Sequence, residues 1–158
     1  MKMFFFLIGS MVFYFHAHCQ ALTVTQLSNS LHKDASQLNN YLTINGWNYY
    51  QSIDSLGVNG LIFGYNIQRY ENGDRADMWL DAFYKNGNMY SIKIIFGSHA
   101  LYAKYLNALM ALKVKNIHEK TVKYGISTFY SDSKHIYVLS SISKENQLPF
   151  GFEIQPND

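Results

Sequence analysis

Apolar and polar residues alternate from Gly60 to Gly97, GLIFGYNIQRYENGDRADMWLDAFYKNGNMYSIKIIFG. The alternation is broken twice by one phrase, Tyr-x-Asn-Gly-(Asp/Asn), at Tyr70–Asp74 and at Tyr84–Asn88. Both residues of an Asn-Gly pair accept positive φ, so the pair between alternating segments marks a hairpin. The stretch therefore predicts a three-stranded antiparallel meander. A two-residue loop at Asn72-Gly73 sets Ile67 opposite Met78, Tyr65 opposite Leu80, Phe63 opposite Ala82 and Leu61 opposite Tyr84. A two-residue loop at Asn86-Gly87 would put Leu80 beside Lys93 and spoil the apolar face. A three-residue loop, Lys85-Asn86-Gly87, instead pairs Ala82 with Tyr90, Leu80 with Ile92 and Met78 with Ile94. One face then carries Leu61, Phe63, Tyr65, Ile67, Met78, Leu80, Ala82, Tyr84, Tyr90, Ile92, Ile94 and Phe96. A one-residue slip would turn that whole set to water. The other face carries Gly64, Asn66, Gln68, Asp77, Trp79, Asp81, Phe83, Met89, Ser91, Lys93 and Ile95, a mixture neither plainly wet nor plainly buried.

Around this meander the periodicity changes. Leu27, Leu31, Ala35, Leu38 and Leu42 recur every three or four residues, which predicts a helix over Leu22–Asn45 with Thr25 or Ser28 as N-cap and Asn45-Gly46 as its stop. Trp47–Ser52 reads as a first strand and Ile53–Asn59 as a loop. Ser98 caps a second helix, His99 to about Val114, whose inward stripe is Tyr102, Tyr105, Leu106, Leu109, Leu112 and Lys113. Strands return over Val122–Tyr130 and Ile136–Ile142. A short last strand over Phe150–Ile154 is flanked by Pro149 and Pro156, which suits a sheet edge. The expected fold is α+β, with two helices packed on one face of an antiparallel sheet in the order α-ββββ-α-βββ. YLTINGW and ALKVKNI follow the two helices at comparable places, so the chain reads as two loosely similar halves.

The N-terminus changes the picture of where the chain goes. Lys2 precedes an apolar run from Met3 to Phe15, too short for a helix that spans a bilayer, and a polar segment follows to Ala21. This reads as an export signal over residues 1–20, cleaved after Cys19 or Ala21, followed by a single domain over 21–158. The expected destination is the periplasm or the exterior of a Gram-negative-type cell. Cys19 is the one cysteine. It is the one place for a lipid anchor, although His16-Ala17-His18 fits a lipoprotein signal poorly. A processed chain would have no disulfide and no thiolate metal site. Without Lys2 the 13 basic side chains become 12 against 11 acidic ones. With no basic stripe or basic amphipathic helix, neither nucleic acid nor a membrane surface is an expected partner.

Candidate chemistry is sparse. His32, His99, His118 and His135 sit in no ligand pattern, and His118-Glu119 lacks the second histidine of a zinc-protease helix. No Gly-x-Ser-x-Gly, no phosphate loop and no cofactor motif occurs. The best constellation is the mixed sheet face, where Asp77, Trp79, Asp81 and Phe83 point one way, with Lys93 opposite Trp79 and diagonal to Asp81. Aromatics mixed with charge resemble interface hot spots. The expected function is a small exported, non-catalytic binding protein, of immunity or inhibitor type, that presents this face, centred on Trp79, to a protein or glycan partner. Two other readings remain open. One is a small-ligand carrier with a pocket lined by Tyr65, Tyr90, Tyr102 and Tyr105. The other is a hydrolase that uses Asp77 and Asp81.

Overall fold

Thr23 and Asp34 each accept a hydrogen bond from the backbone N–H three residues on, and Gln26 and Gln37 return the bond to the cap. Two such reciprocal caps start two helices. The single helix expected over 22–45 is therefore α1 (Val24–Ser30) and α2 (Ala35–Ile44), broken where Asp34 restarts the turn count. The computed structural model describes residues 21–55, 57–122, 125–142 and 150–157. The segment expected to be an export signal, Cys19 with the lipid considered for it, Tyr124 and Pro149 lie outside them.

The remaining elements are β1 (Trp47–Ser55), β2 (Val58–Tyr65), β3 (Met78–Lys85), β4 (Asn88–Phe96), α3 (His99–Ala111), β5 (Lys115–Val122), β6 (Gly125–Ser131), β7 (His135–Ile142) and β8 (Phe150–Pro156). All eight strands join one antiparallel sheet in the order β1-β2-β3-β4-β8-β7-β6-β5. The α+β class and the antiparallel sheet are as expected, but the described residues hold three helices and eight strands, not two and seven. Leu27, Leu38, Leu42, Tyr105 and Leu109 bring α1, α2 and α3 into one core with Phe63, Leu80, Ile94, Phe152 and Ile154 of the sheet. The segment expected to be a loop at Ile53–Asn59 holds the end of β1 and the start of β2. The unexpected strand is β5, KNIHEKTV. Its Lys115–Thr121 positions are all exposed, so an edge strand wet on both faces leaves no apolar alternation to read. β8 is not an edge strand. It lies between β4 and β7 with Phe152 and Ile154 0% exposed. Pro156 is tolerated because it is the last ladder position, opposite His135.

The meander register differs from expectation in instructive ways. Tyr65 faces Met78, Phe63 faces Leu80 and Leu61 faces Ala82, a shift of two residues that leaves the inward set inward. The tip of this connection is Glu71-Asn72, closed by Gly73 N–H donating to the Tyr70 carbonyl at 3.2 Å. Asn66, at φ 54, ends the β2 ladder in a left-handed kink, and Ile67 lands on the face opposite the core, against Gly64. The next turn is the two-residue Asn86-Gly87, with both residues at positive φ (53° and 80°). A bulge rescues the apolar face: Phe83 faces Ser91 but Tyr84 faces Met89, so Tyr90 is the extra residue and is 40% exposed. Beyond the bulge, Ala82 faces Ile92, Leu80 faces Ile94 and Met78 faces Phe96.

The two halves repeat one register. Tyr49–Phe63, Gln51–Ile62 and Ser55–Val58 in the β1–β2 ladder correspond, at one constant offset, to Asn116–Tyr130, His118–Phe129 and Val122–Gly125 in β5–β6. The bulged residues Tyr50 and Ile117 correspond at the same offset. So do the left-handed residues after the helices, Gly46 and Lys113, and the buried helix pairs Leu38/Leu42 and Tyr105/Leu109. The halves meet where β4 pairs with β8.

Candidate functional site

Residues of the three described helices share their core with the inward residues of the sheet. The opposite face is organised by a rung through the middle of the molecule: Ile62, Asp81, Lys93, Glu153, Val138 and Phe129 stand side by side on six neighbouring strands. Lys93 faces Asp81 on one side and Glu153 on the other, an acid–base–acid row. The expectation had Lys93 opposite Trp79. Ile95 holds that place because of the Tyr90 bulge. Burial raises the Asp81 carboxyl above its ordinary value, and the Lys93 charge pulls it part of the way back. Glu153 accepts hydrogen bonds from the Ser91 hydroxyl at 2.5 Å and the Gln155 amide at 2.7 Å.

Two aromatic groups flank the first-half end of this row. Trp79 is half-buried, and Tyr50 meets it edge-on with ring centroids 4.8 Å apart. Gly64 lets this happen: a Cβ there would stand 2.5 Å from Ile67 and 3.0 Å from the Trp79 ring. Phe83 lies over Gly60 and tilts against Tyr90 at 6.2 Å. Four rings thus gather on the face that carries no described helix. Tyr50, Ile67 and Tyr90 were not among the residues expected there. Each arrives by a backbone irregularity, a bulge or a kink, that has no signature in the alternation.

Of the expected site residues, Trp79, Asp81, Phe83 and Lys93 share this face. Asp77 precedes β3 and accepts a hydrogen bond from the Asn66 amide at 2.8 Å, outside the row. Four residues of extended chain separate Asp77 from Asp81, about 13 Å, beyond the ~5–9.5 Å of carboxylate pairs that cleave glycosides. The four tyrosines of the alternative pocket are divided between the two faces. Tyr105 and Tyr102 lean on Phe96 at 4.8 and 6.0 Å, Tyr65 packs on Trp47 two strands away, and Tyr90 is on the other side of the sheet. Among the described residues no three His, Cys, Asp or Glu side chains gather where they could hold a metal ion. No described helix is long and apolar enough to cross a membrane. No protein-family model, no curated protein and no solved structure matches this chain.

Proposed function

We propose that this chain is a small exported, non-catalytic binding protein whose sheet face opposite the described helices, centred on Trp79, engages a protein partner. The observation that supports it is the grouping of Tyr50, Trp79, Phe83 and Tyr90 beside the Asp81–Lys93–Glu153 row. Rigid aromatic rings next to paired charge are the composition of interface hot spots, with rings supplying desolvated area and charges supplying register. A Trp hot spot truncated to Ala costs about 2–4 kcal/mol of binding. The test is capture from the envelope fraction of the native cell with tagged protein, by wild type, by Trp79→Ala and by Ile136→Ala. Position 136 is the counterpart of 79 in the second half. The reading expects one stoichiometric protein, lost with Trp79→Ala and kept with Ile136→Ala, at unchanged circular dichroism. Equal capture by all three refutes the face.

Export is part of the same proposal. Leu22 is 1% exposed, and its carbonyl accepts the Tyr105 hydroxyl. Cleavage after Ala21 would place a charged amine on this buried residue, which is unfavourable. Cleavage after Cys19 leaves Gln20-Ala21 ahead of the core. The intact mass of the processed protein should therefore correspond to a Gln20 start, and a Leu22 start would contradict this placement.

A further inference from the structure

The two halves differ most between their second and third strands. In the first half this connection is the arm of residues 66–77. Its Asn66, Gln68, Arg75 and Asp77 close against Ser98 and Leu101 at the start of α3 and leave about 200 Å³. In the second half the corresponding connection is only 132–134. At the equivalent place, where this turn approaches the start of α2, a cleft of about 670 Å³ opens. The second half lacks the arm that fills the site in the first. The cleft's volume lies within the ~300–1,000 Å³ usual for small-molecule sites.

Four of its described lining residues are basic, with Asp34 the one carboxylate among them. His32 and Lys33 come from the α1–α2 link, Lys134 from the β6–β7 turn, His135 from the start of β7, and Leu31 and Met89 add apolar surface. Half of the four histidines beyond residue 20 are here. Among the described residues Asp34 lines the cleft and Asp132 stands 3.5 Å from the His135 Nδ1, and both carboxylates are held by hydrogen bonds. Asp34 accepts the Gln37 N–H at 2.8 Å as the α2 cap. Asp132 accepts the Lys134 and His135 N–H groups and the Tyr137 hydroxyl, each at 2.7 Å. Burial alone would raise Asp132, but these donors outweigh it and hold its carboxyl below the ordinary value. The Lys33 ammonium rests over the Tyr41 ring at 4.9 Å while its residue lines the cleft.

We propose that this cleft binds a small organic anion, a carboxylate or phosphate carried on an apolar body. Lys134 and His135 meet the charged group, Lys33 and His32 approach it from the α1–α2 link, and the apolar body lies on Leu31 and Met89. The site shares no residue with the Trp79 face, so either can fail without the other. The test is calorimetric titration of the processed protein with phenyl phosphate, with hexanoate and with neutral hexanamide. At least one anion should bind about tenfold or more tighter than hexanamide, and the tighter anion names the head group. The double variant Lys33→Gln/Lys134→Gln should weaken that anion by about tenfold or more at unchanged melting temperature, as expected when charge-assisted bonds are removed. Equal binding of hexanamide, no anion binding up to about 10 mM, or undiminished binding in the double variant would each overturn the proposal.

Discussion

Tyr105 and Tyr84 show how one residue type takes opposite energetic roles. Tyr105 is 3% exposed, and its hydroxyl donates to the Leu22 carbonyl, tying α3 to the start of α1. Tyr105→Phe orphans that carbonyl and should lower stability by about 1–2 kcal/mol in urea unfolding. The Tyr84 hydroxyl is equally buried but has no hydrogen-bond partner among the described residues. Burial, then the charge of Asp34, pushes its pKa up to about 12. Tyr84→Phe should be neutral or stabilising by up to about 1 kcal/mol, and a clear loss in the same urea series would contradict the placement. Asp81 allows a sign to be worked out. Its folded-state carboxyl is raised, so the folded chain binds that proton more tightly than the unfolded chain does. Its ionised form therefore lowers stability at neutral pH, and the penalty fades as pH falls through the raised value. Asp81→Asn should melt higher than wild type at pH 7, with the gap closing near pH 3–4, below the ordinary carboxylate range of about 4. At Gly64 the added methyl of Gly64→Ala would collide with Ile67 and press on Trp79, so it should reduce both stability and partner capture. Full capture in this variant would detach Gly64 from the site.

At the scale of elements, much was legible because local signals and burial agreed. The alternation placed β2, β3 and β4, and the inward set of β3 (Met78, Leu80, Ala82, Tyr84) is buried as read. Ser98 caps α3 as expected, accepting the Leu101 N–H at 3.4 Å. Signals failed where two principles competed. The leucine spacing ran through Asp34, yet D-A-S-Q is a capping box, and the cap won. Asp34→Ala should remove about 0.5–2 kcal/mol, measurable as a lower urea midpoint, if α2 is an independent helix. No loss would restore one continuous helix. Asn86-Gly87 was a sound hairpin signal that the apolar-face argument overruled. The Tyr90 bulge satisfied both requirements at once. β5 was illegible because none of its Lys115–Thr121 residues is buried, and β8 was misplaced because its neighbours are set by a long-range pairing no short window contains.

At the scale of the whole molecule, two four-strand meanders with matching bulges join edge to edge through β4 and β8, and function is proposed where the halves cease to match. On the face opposite the described helices the first half has Trp79, Asp81 and Phe83 where the second has Ile136, Val138 and Ser140. The residues of that face were readable from period two alone. The Asp81–Lys93–Glu153 row was not, since Glu153 arrives from the other half. At the connections, the second half has the open cleft where the first has an arm. The central claim, that Trp79 stands on an open face used for binding, can be measured through its own fluorescence. Trp47 is 1% exposed, so a Trp47→Phe chain leaves Trp79 as the only indole beyond residue 20. Acrylamide quenching of that chain, free and with the captured partner, is the direct measurement. Trp79 should be readily quenched alone, and blue-shifted and shielded in the complex. An indole quenched equally in both states would contradict it.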